Sequence, residues 1–337
     1  MIRIEENYCL LEHNTFGIDV KTRWFIEYGT EEDLSKILRD EYFFSLAFRH
    51  IGQGSNLLFL GDYDGLILHS VIKDIEIVEE SEEEISLKVG AGMVWDDLVA
   101  YCVNNNWGGI ENLSLIPGEV GASAVQNIGA YGVEVSERII EVHAYNIETQ
   151  KKCVFSNADC RFAYRQSIFK TEAKGCFFIT HVVFKLDKRP KFNTTYDKLK
   201  DFIDQESEIT LKSIRQSVIK IRESKLPDPK VQGNAGSYFM NPYVGKNIYE
   251  SLLKKYPTMP HYPISDTEVK VPAAWMIEQC GMKGTRFGQA GVHDKQALVL
   301  VNLGGATGDE IALLAEEVRR KVVEMFGIEL QPEVNYL

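Results

Sequence analysis

The sequence predicts an α+β fold divided into more than one domain, and three observations predict it. Stretches with strand alternation and stretches with helical periodicity are interspersed along the chain. Glycine clusters stand beside short apolar stretches, as at junctions between strand and loop. The 337 residues, 45% hydrophobic and 26% charged, suffice for two or three domains with ample cores. Interspersed elements favour packed α+β layers over a helical bundle or a β-sandwich.

The elements follow in chain order. Thr30-Glu31-Glu32-Asp33 reads as an N-cap with an acidic first turn, leading into Leu34, Ile37 and Leu38 at helical spacing. Residues 67–78 and 85–89 read as strands, and a helix is expected over 95–104, after the turn Gly90-Ala91-Gly92. A second region opens near Thr210, where Leu211, Ile214, Val218 and Ile221 share one helical face and Lys220, Arg222 and Lys225 load its end. Pro227 and Pro229 then stop that helix. A long helix is expected from about Asp309, with Ile311, Leu314, Val318, Val322 and Phe326 on one stripe and Gly327 as its C-terminal cap. The tail 328–337 reads as a returning strand.

Composition narrows the function. A formal net charge of −12 opposes binding to nucleic acid or to an anionic membrane, so any phosphate-binding pocket must be built locally. No apolar run approaches the roughly 18 to 20 residues that span a bilayer, and the chain opens without a hydrophobic signal segment, so a cytoplasmic protein without membrane insertion is expected. The six cysteines are scattered without a Cys-x-x-Cys pair, which indicates neither a disulfide framework nor a zinc site. The seven histidines form no ligand-spaced pair, and no metal is expected.

Several segments carry candidate chemistry. A Walker A loop is absent, and Gly52-Gln53-Gly54 fails the dinucleotide fingerprint because Leu57 stands where the third glycine belongs. The loop that ends in Ser55 and Asn56 suits either an anionic pyrophosphate or an ordinary tight turn. From Pro117 to Gly132 four glycines and little side-chain bulk allow backbone to lie against a flat ligand, or make a cluster of turns. In Arg161-Phe162-Ala163-Tyr164-Arg165 one guanidinium is a candidate bidentate clamp for a carboxylate, the alternative being two surface arginines over packed rings. Ser237, just past Gly236, either presents its hydroxyl to a ligand or serves a turn, and with Phe239 in place of the final glycine it is not a hydrolase elbow. Glu333, after the last helix, reads more readily as a solvated carboxylate than a functional one.

Seven motifs in order resemble the MurB family of UDP-N-acetylenolpyruvoylglucosamine reductases, type I subclass. They are Asn14-Thr15-Phe16-Gly17, Gly52-x-Gly54-Ser55-Asn56-Leu57, Ile116-Pro117-Gly118 through Gly132, Tyr164-Arg165-x-Ser167, Lys225-Leu226-Pro227-Asp228-Pro229, Gly236-Ser237-Tyr238-Phe239 and Pro332-Glu333-Val334. The resemblance implies a two-part FAD-binding region of the vanillyl-alcohol-oxidase type, 1–68 and 69–212, with a substrate loop near 190–200. It further implies a C-terminal α+β substrate-binding domain over 213–328 and a strand at 329–337 that returns to the active site. It implies dissociable FAD held by Gly52, Gln53, Gly54, Ser55, Asn56, Leu57, Pro117, Gly118, Gly121, Ala122, Val125, Ile128, Gly129 and Tyr131, with NADPH as hydride donor. Arg165 is similar to the arginine that pairs with the enolpyruvyl carboxylate, Glu333 to the acid that stabilises the enol-like intermediate, and Ser237 to the proton donor. Tyr164, Tyr196, Arg222, Lys225, Asn241 and Gln296 match positions that contact substrate or nucleotide. The expected substrates are UDP-N-acetylglucosamine enolpyruvate and NADPH, and the expected state is a monomer. Asn335 stands where the family often has a basic residue, and Ala122 and Ala124 replace frequent serine and proline. The rival readings are an oxygen-using oxidase on the same flavin fold and a nucleotide-sugar sensor without turnover.

Overall fold

A computed structural model describes residues 1–194, 197–203 and 208–337. They group into two compact units: Met1–Tyr8, Thr22–Gln53 and Asp64–Ser224 form the first, and Cys9–Lys21, Gly54–Tyr63 and Lys225–Leu337 the second. Two short N-terminal pieces pack with the C-terminal residues. The Asn302 amide donates to the Phe16 carbonyl (2.9 Å), and Gly308 lies so close to the Phe59 carbonyl that a Cβ would stand 1.9 Å from it.

Among the described residues the first unit holds two large sheets besides the short antiparallel pair Gly129–Ala130 and Val133–Glu134. In spatial order the four-stranded sheet runs Ile2–Cys9, Lys21–Tyr28, Tyr63–Ser70, Phe48–Ile51, its last two strands parallel. The five-stranded sheet runs Lys152–Ser156, Ile139–Asn146, Phe177–Asp187, Glu84–Gly90, Ile75–Glu80 and is antiparallel throughout. The strand expected over 67–78 is therefore two strands, one in each sheet. Gly90 and Gly92 grip the crossing chain between them: the Gly90 amide bonds the Asp74 carbonyl and the Gly92 amide the Ile72 carbonyl, each at 2.9 Å. Backbone approaches too closely there for any side chain, since a Cβ on Gly92 would lie 2.1 Å from the Ser70 carbonyl oxygen. The helix Trp95–Asn104 follows as expected and buries Trp95, Leu98, Val99 and Cys102 in the core beneath the five-stranded sheet, with the Trp95 indole donating to the Leu113 carbonyl (2.8 Å).

The expected Thr30 cap is present, its hydroxyl accepting from the Asp33 amide at 3.0 Å. The helix Leu211–Lys225 buries Ile214, Val218 and Ile221 against Leu199 and Ile203. In the second unit, Asn234–Ser237, Val299–Asn302, Ala290–Val292 and Arg286–Phe287 make one antiparallel sheet in that order. The helix Gly308–Phe326 carries the expected stripe inward, each buried apolar side chain contributing about 1.5 to 3 kcal/mol. It opens with a Thr307/Glu310 capping box and closes on Gly327 at φ 67°. Among the described residues no helix is long and apolar enough to cross a membrane.

Candidate active site

Within the first unit the structure joins two of the sequence motifs. Asn127 ends the short helix Val120–Gln126 in the left-handed region (φ 46°), wholly buried, and its amide donates to the Glu134 carboxylate and the Ala163 carbonyl, both at 2.9 Å. Its own side-chain oxygen accepts from the Ser136 amide (3.2 Å). The Ser167 hydroxyl donates to the Val125 carbonyl (2.7 Å), and the Lys170 ammonium reaches the Gln126 side chain (2.8 Å) and the Arg165 carbonyl (3.1 Å). These bonds press the turn Ala163–Gln166 onto the glycine-rich segment, and Arg165 (φ 56°) sends its guanidinium to the Gly129 carbonyl (2.6 Å) and the Asn127 carbonyl (3.4 Å). The guanidinium also lies 5.2 Å from the centroid of the Tyr164 ring. Arg161, by contrast, is exposed and pairs with Glu172 (3.3 Å), so the two arginines of this motif divide into one anchored and one at the surface.

Within the second unit the loop at Gly54 is fixed by Asn14, which is buried. The Asn14 amide donates to the Leu10 and Ile18 carbonyls (2.8 and 3.0 Å) and its oxygen accepts from the Ile18 amide (2.8 Å), closing residues 10–18 into a rigid turn. The Thr15 amide then donates to the Gly54 carbonyl (3.3 Å), and a Cβ on Gly54 would stand 1.9 Å from the His13 carbonyl oxygen. With φ at 67°, only glycine serves there.

The same unit pairs the segment that follows the strand Asn234–Ser237 with the segment of Glu333. The Glu333 amide donates to the Tyr238 carbonyl (2.8 Å), the Met240 amide donates to the Gln331 carbonyl (3.0 Å), and Phe239 bridges Pro332. On its other side the tail is stitched to the glycine loop: the Asn56 amide donates to the Glu333 carbonyl (3.1 Å), and the Asn335 amide donates to the Asn56 carbonyl (3.0 Å). Asn335–Tyr336 continue as a parallel pair with Leu57–Leu58, and the Tyr238 hydroxyl donates to that of Tyr336 (2.8 Å). Glu333 is thus a half-buried carboxylate on a segment clamped from both sides rather than a solvated tail residue, and Ser237, one position before the Tyr238 pairing, is exposed. Asn335, the departure from the family pattern, is part of this stitching.

The remaining expected residues fall as follows. Gly121 packs against Ala91, and Val125 and Ile128 rest partly on the apolar core, while Pro117 and Ala122 are exposed. Gln53 accepts from the Gly118 amide (3.2 Å), linking two of the cofactor motifs. Arg222 donates to the Leu115 carbonyl (3.1 Å); burial lowers its pKa against the pull of Tyr131 and Asp96. Asn241 caps the helix Ala273–Gln279 through the Ala273 amide (2.9 Å). Gln296 shapes the turn that feeds the strand opposite Ser237, its carbonyl accepting from the Val299 amide (3.0 Å). Lys225 is half-buried at the end of its helix. Tyr196 lies outside the described residues. Sequence reading gave Asn14, Asn127, Ser167 and Lys170 no organising role, although the first three lie within the motifs of the family resemblance; an asparagine beside a glycine cluster was the available signal.

FAD fits these residues. The Thr15 hydroxyl, next to the Gly54 turn, is buried with no partner among the described residues, as a group facing a ligand oxygen would be. Ala122, Val125, Ile128, Gly129 and Ala130 give a partly exposed run of small and apolar residues without a charged side chain, suited to a flat ring.

Comparison with known proteins decides the family. The C-terminal domain of UDP-N-acetylenolpyruvoylglucosamine reductase matches residues 228–337, and an FAD binding domain matches residues 23–146. The UDP-N-acetylenolpyruvoylglucosamine reductase of Bacteroides fragilis is 51% identical over 334 residues, covering 99% of this chain and all of the relative. That of Porphyromonas gingivalis is 52% identical over 335 residues, covering 99% of each. The chain belongs to the UDP-N-acetylenolpyruvoylglucosamine reductase family. The crystal structure of the reductase (MurB) from Thermus caldophilus, 21% identical, superposes with a TM-score of 0.71 over all of this chain and 99% of that one, so the fold is shared. The α+β class read from the sequence stands for this family member, with an FAD binding domain ahead of the reductase's C-terminal domain.

Proposed function

We propose that this chain reduces the enolpyruvyl ether of UDP-N-acetylglucosamine to UDP-N-acetylmuramate, a step of peptidoglycan precursor synthesis, with NADPH as the source of hydride and FAD bound non-covalently. The observation that carries the reading is the bond from the Glu333 amide to the Tyr238 carbonyl at 2.8 Å, one residue past Ser237, in a member of this family. FAD held by the Gly52 and Pro117 to Tyr131 segments would supply the hydride chemistry, taking hydride from NADPH for C3 of the enolpyruvyl group. As hydride arrives, negative charge builds over C2 and the carboxylate. Arg165, rigidly anchored on the Gly129 carbonyl, is positioned to meet that charge with a planar cation. Glu333 steadies the enol-like form, and the Ser237 hydroxyl donates its proton to C2; serine is a weak acid in water but serves against a basic carbon if held within about 3 Å.

Gly52, Gln53, Gly54, Ser55, Asn56 and Leu57, together with the run from Pro117 to Tyr131, are assigned to FAD. Tyr164, Tyr196, Arg222, Lys225, Asn241 and Gln296 are assigned to substrate. The chain is assigned as a cytoplasmic monomer, its domains following the divisions given above for the family. Flavin absorbance under anaerobic conditions tests the reading, each substrate being added separately. In Ser237→Ala, NADPH bleaches the flavin at the normal rate, while reoxidation by the enolpyruvyl sugar slows by about 10²- to 10⁴-fold. Equal slowing of both half-reactions overturns the role of Ser237, and a reduced flavin that only oxygen reoxidises favours an oxidase.

A further inference from the structure

His69 lies in the first unit, almost wholly buried, between two carboxylates. Its Nδ1 is 3.0 Å from Glu27 Oε1 and its Nε2 is 2.9 Å from Glu119 Oε1, while Glu27 in turn pairs with Arg3 at 2.9 Å. None of these four residues belongs to the catalytic set, and the placement of His69 and Glu119 is specific. The strand Phe48–Ile51 pairs in parallel with the strand of His69, Ile51 opposite His69, so the histidine flanks the point where the chain enters the Gly52 turn. Glu119 immediately follows Gly118 and is 5% exposed. Its Oε2 stands where a side chain at Gly52 would begin, 2.8 Å from a Cβ built there.

We propose that His69 and Glu119 are positioning residues of the cofactor cradle: the imidazolium holds the Glu119 carboxylate against Gly52 and so keeps the Gly52 and Gly118 turns in one fixed relation. The inference rests on the reading of those turns as holding FAD. A buried carboxylate beside a turn that receives an anion is unfavourable unless a cation compensates it. Protonated His69 supplies that cation, and Arg3, Glu27, His69 and Glu119 then alternate in charge from surface to interior. Neutral His69 has one N–H for two carboxylates, and the alternation breaks.

The other charged and titratable groups around His69 leave that role to it. His50, on the neighbouring strand and bonded to the Tyr28 hydroxyl at 2.9 Å, is pushed down to about 3 by burial and by His69, so it is neutral. Burial raises the Tyr28 hydroxyl, which stays protonated. Lys73 adds positive charge near Glu119 but makes no ion pair with it among the described residues. Burial works against the charge of His69, but the bonds to Glu119 and Glu27 outweigh it and raise its pKa. Burial likewise raises Glu119 against the pull of His69. An anion at the Gly52 turn strengthens the hold on the His69 proton, and by reciprocity the proton strengthens the hold on the anion. FAD therefore binds tightest below the raised pKa of His69 and weakens as pH rises through it.

The test is FAD affinity, read from flavin fluorescence on the full chain stripped of flavin, between roughly pH 6 and pH 9. Wild type loses about tenfold in affinity across that range, the change that one proton coupled to the bound anion supplies. Glu119→Gln keeps the shape and a hydrogen bond but removes the charge, and its affinity no longer changes with pH; His69→Gln binds about tenfold more weakly at the acid end. A flat profile in the wild type, or an unchanged profile in Glu119→Gln, overturns the positioning role. The wild-type profile decides by itself if either variant fails to fold. No FAD binding by wild type at any pH refutes instead the reading of the turns as a cofactor site.

Discussion

Removing the carboxylate of Asp96 tests how the cofactor segment is held. Arg215 meets Asp96 with two bonds, 2.6 and 2.8 Å, and the same carboxylate accepts from the Leu115 amide at 2.6 Å. Arg222, two turns further along the helix of Arg215, takes the Leu115 carbonyl. Both peptide groups of Leu115 are thus held by charged side chains, and the residue sits at φ 58°, just ahead of Ile116, Pro117 and Gly118. A leucine there costs about 1 to 2 kcal/mol, which the clamp must outweigh. Deleting one partner of a fully buried ion pair costs about 3 to 5 kcal/mol. Here the side chains of Arg215 and Asp96 are 16% and 25% exposed, so solvent screens part of that, and Asp96→Ala is expected to lose about 2 to 3 kcal/mol. Urea unfolding at neutral pH measures the loss, and the cycle with Arg215→Ala should return a coupling of about 1.5 to 3 kcal/mol. Burial pushes the Asp96 pKa up, but Arg215 and the Leu115 amide bring it down on balance. Its stabilisation is therefore present above the ordinary carboxylate range and lost as pH falls through the depressed pKa, so wild type and variant converge in acid. Hydrogen exchange at the Leu115 amide should quicken in the variant. A stability change under about 0.5 kcal/mol, with unchanged exchange at Leu115, would refute the clamp.

The other expectations concern the anchors of the site. Arg165→Lys cannot reproduce the two-carbonyl anchor with a point charge, and its kcat/KM for the enolpyruvyl sugar should fall by about 10²- to 10³-fold with flavin reduction by NADPH unchanged; wild-type turnover in steady-state assays would count against the guanidinium as the carboxylate partner. Gly54→Ala forces a side chain onto the His13 carbonyl at positive φ, with an expected loss of about 3 kcal/mol or more and release of FAD. A wild-type melting temperature for that variant would mean the turn relaxes freely.

What the sequence by itself determined is what short-range forces control. The helix at Trp95–Asn104, the stripe and glycine cap of Gly308–Phe326 and the Thr30 cap depend on side chains three or four residues apart, and all were legible. The motifs marked the segments that matter, because glycine and proline leave backbone geometries no other residue tolerates. Tertiary structure decided the rest. Glu333 reads as a solvated terminal carboxylate, yet Asn56, 277 positions away, and the Tyr238 carbonyl clamp its segment. Residues 67–78 read as one strand because nothing local records that Gly90 and Gly92 grip the chain as it passes between sheets. The His69 pair is legible only in three dimensions, since its two carboxylates lie 42 residues before and 50 after it. Propensity and capping act along the chain, whereas a buried charge must be compensated by whatever packing brings beside it, from any distance in sequence.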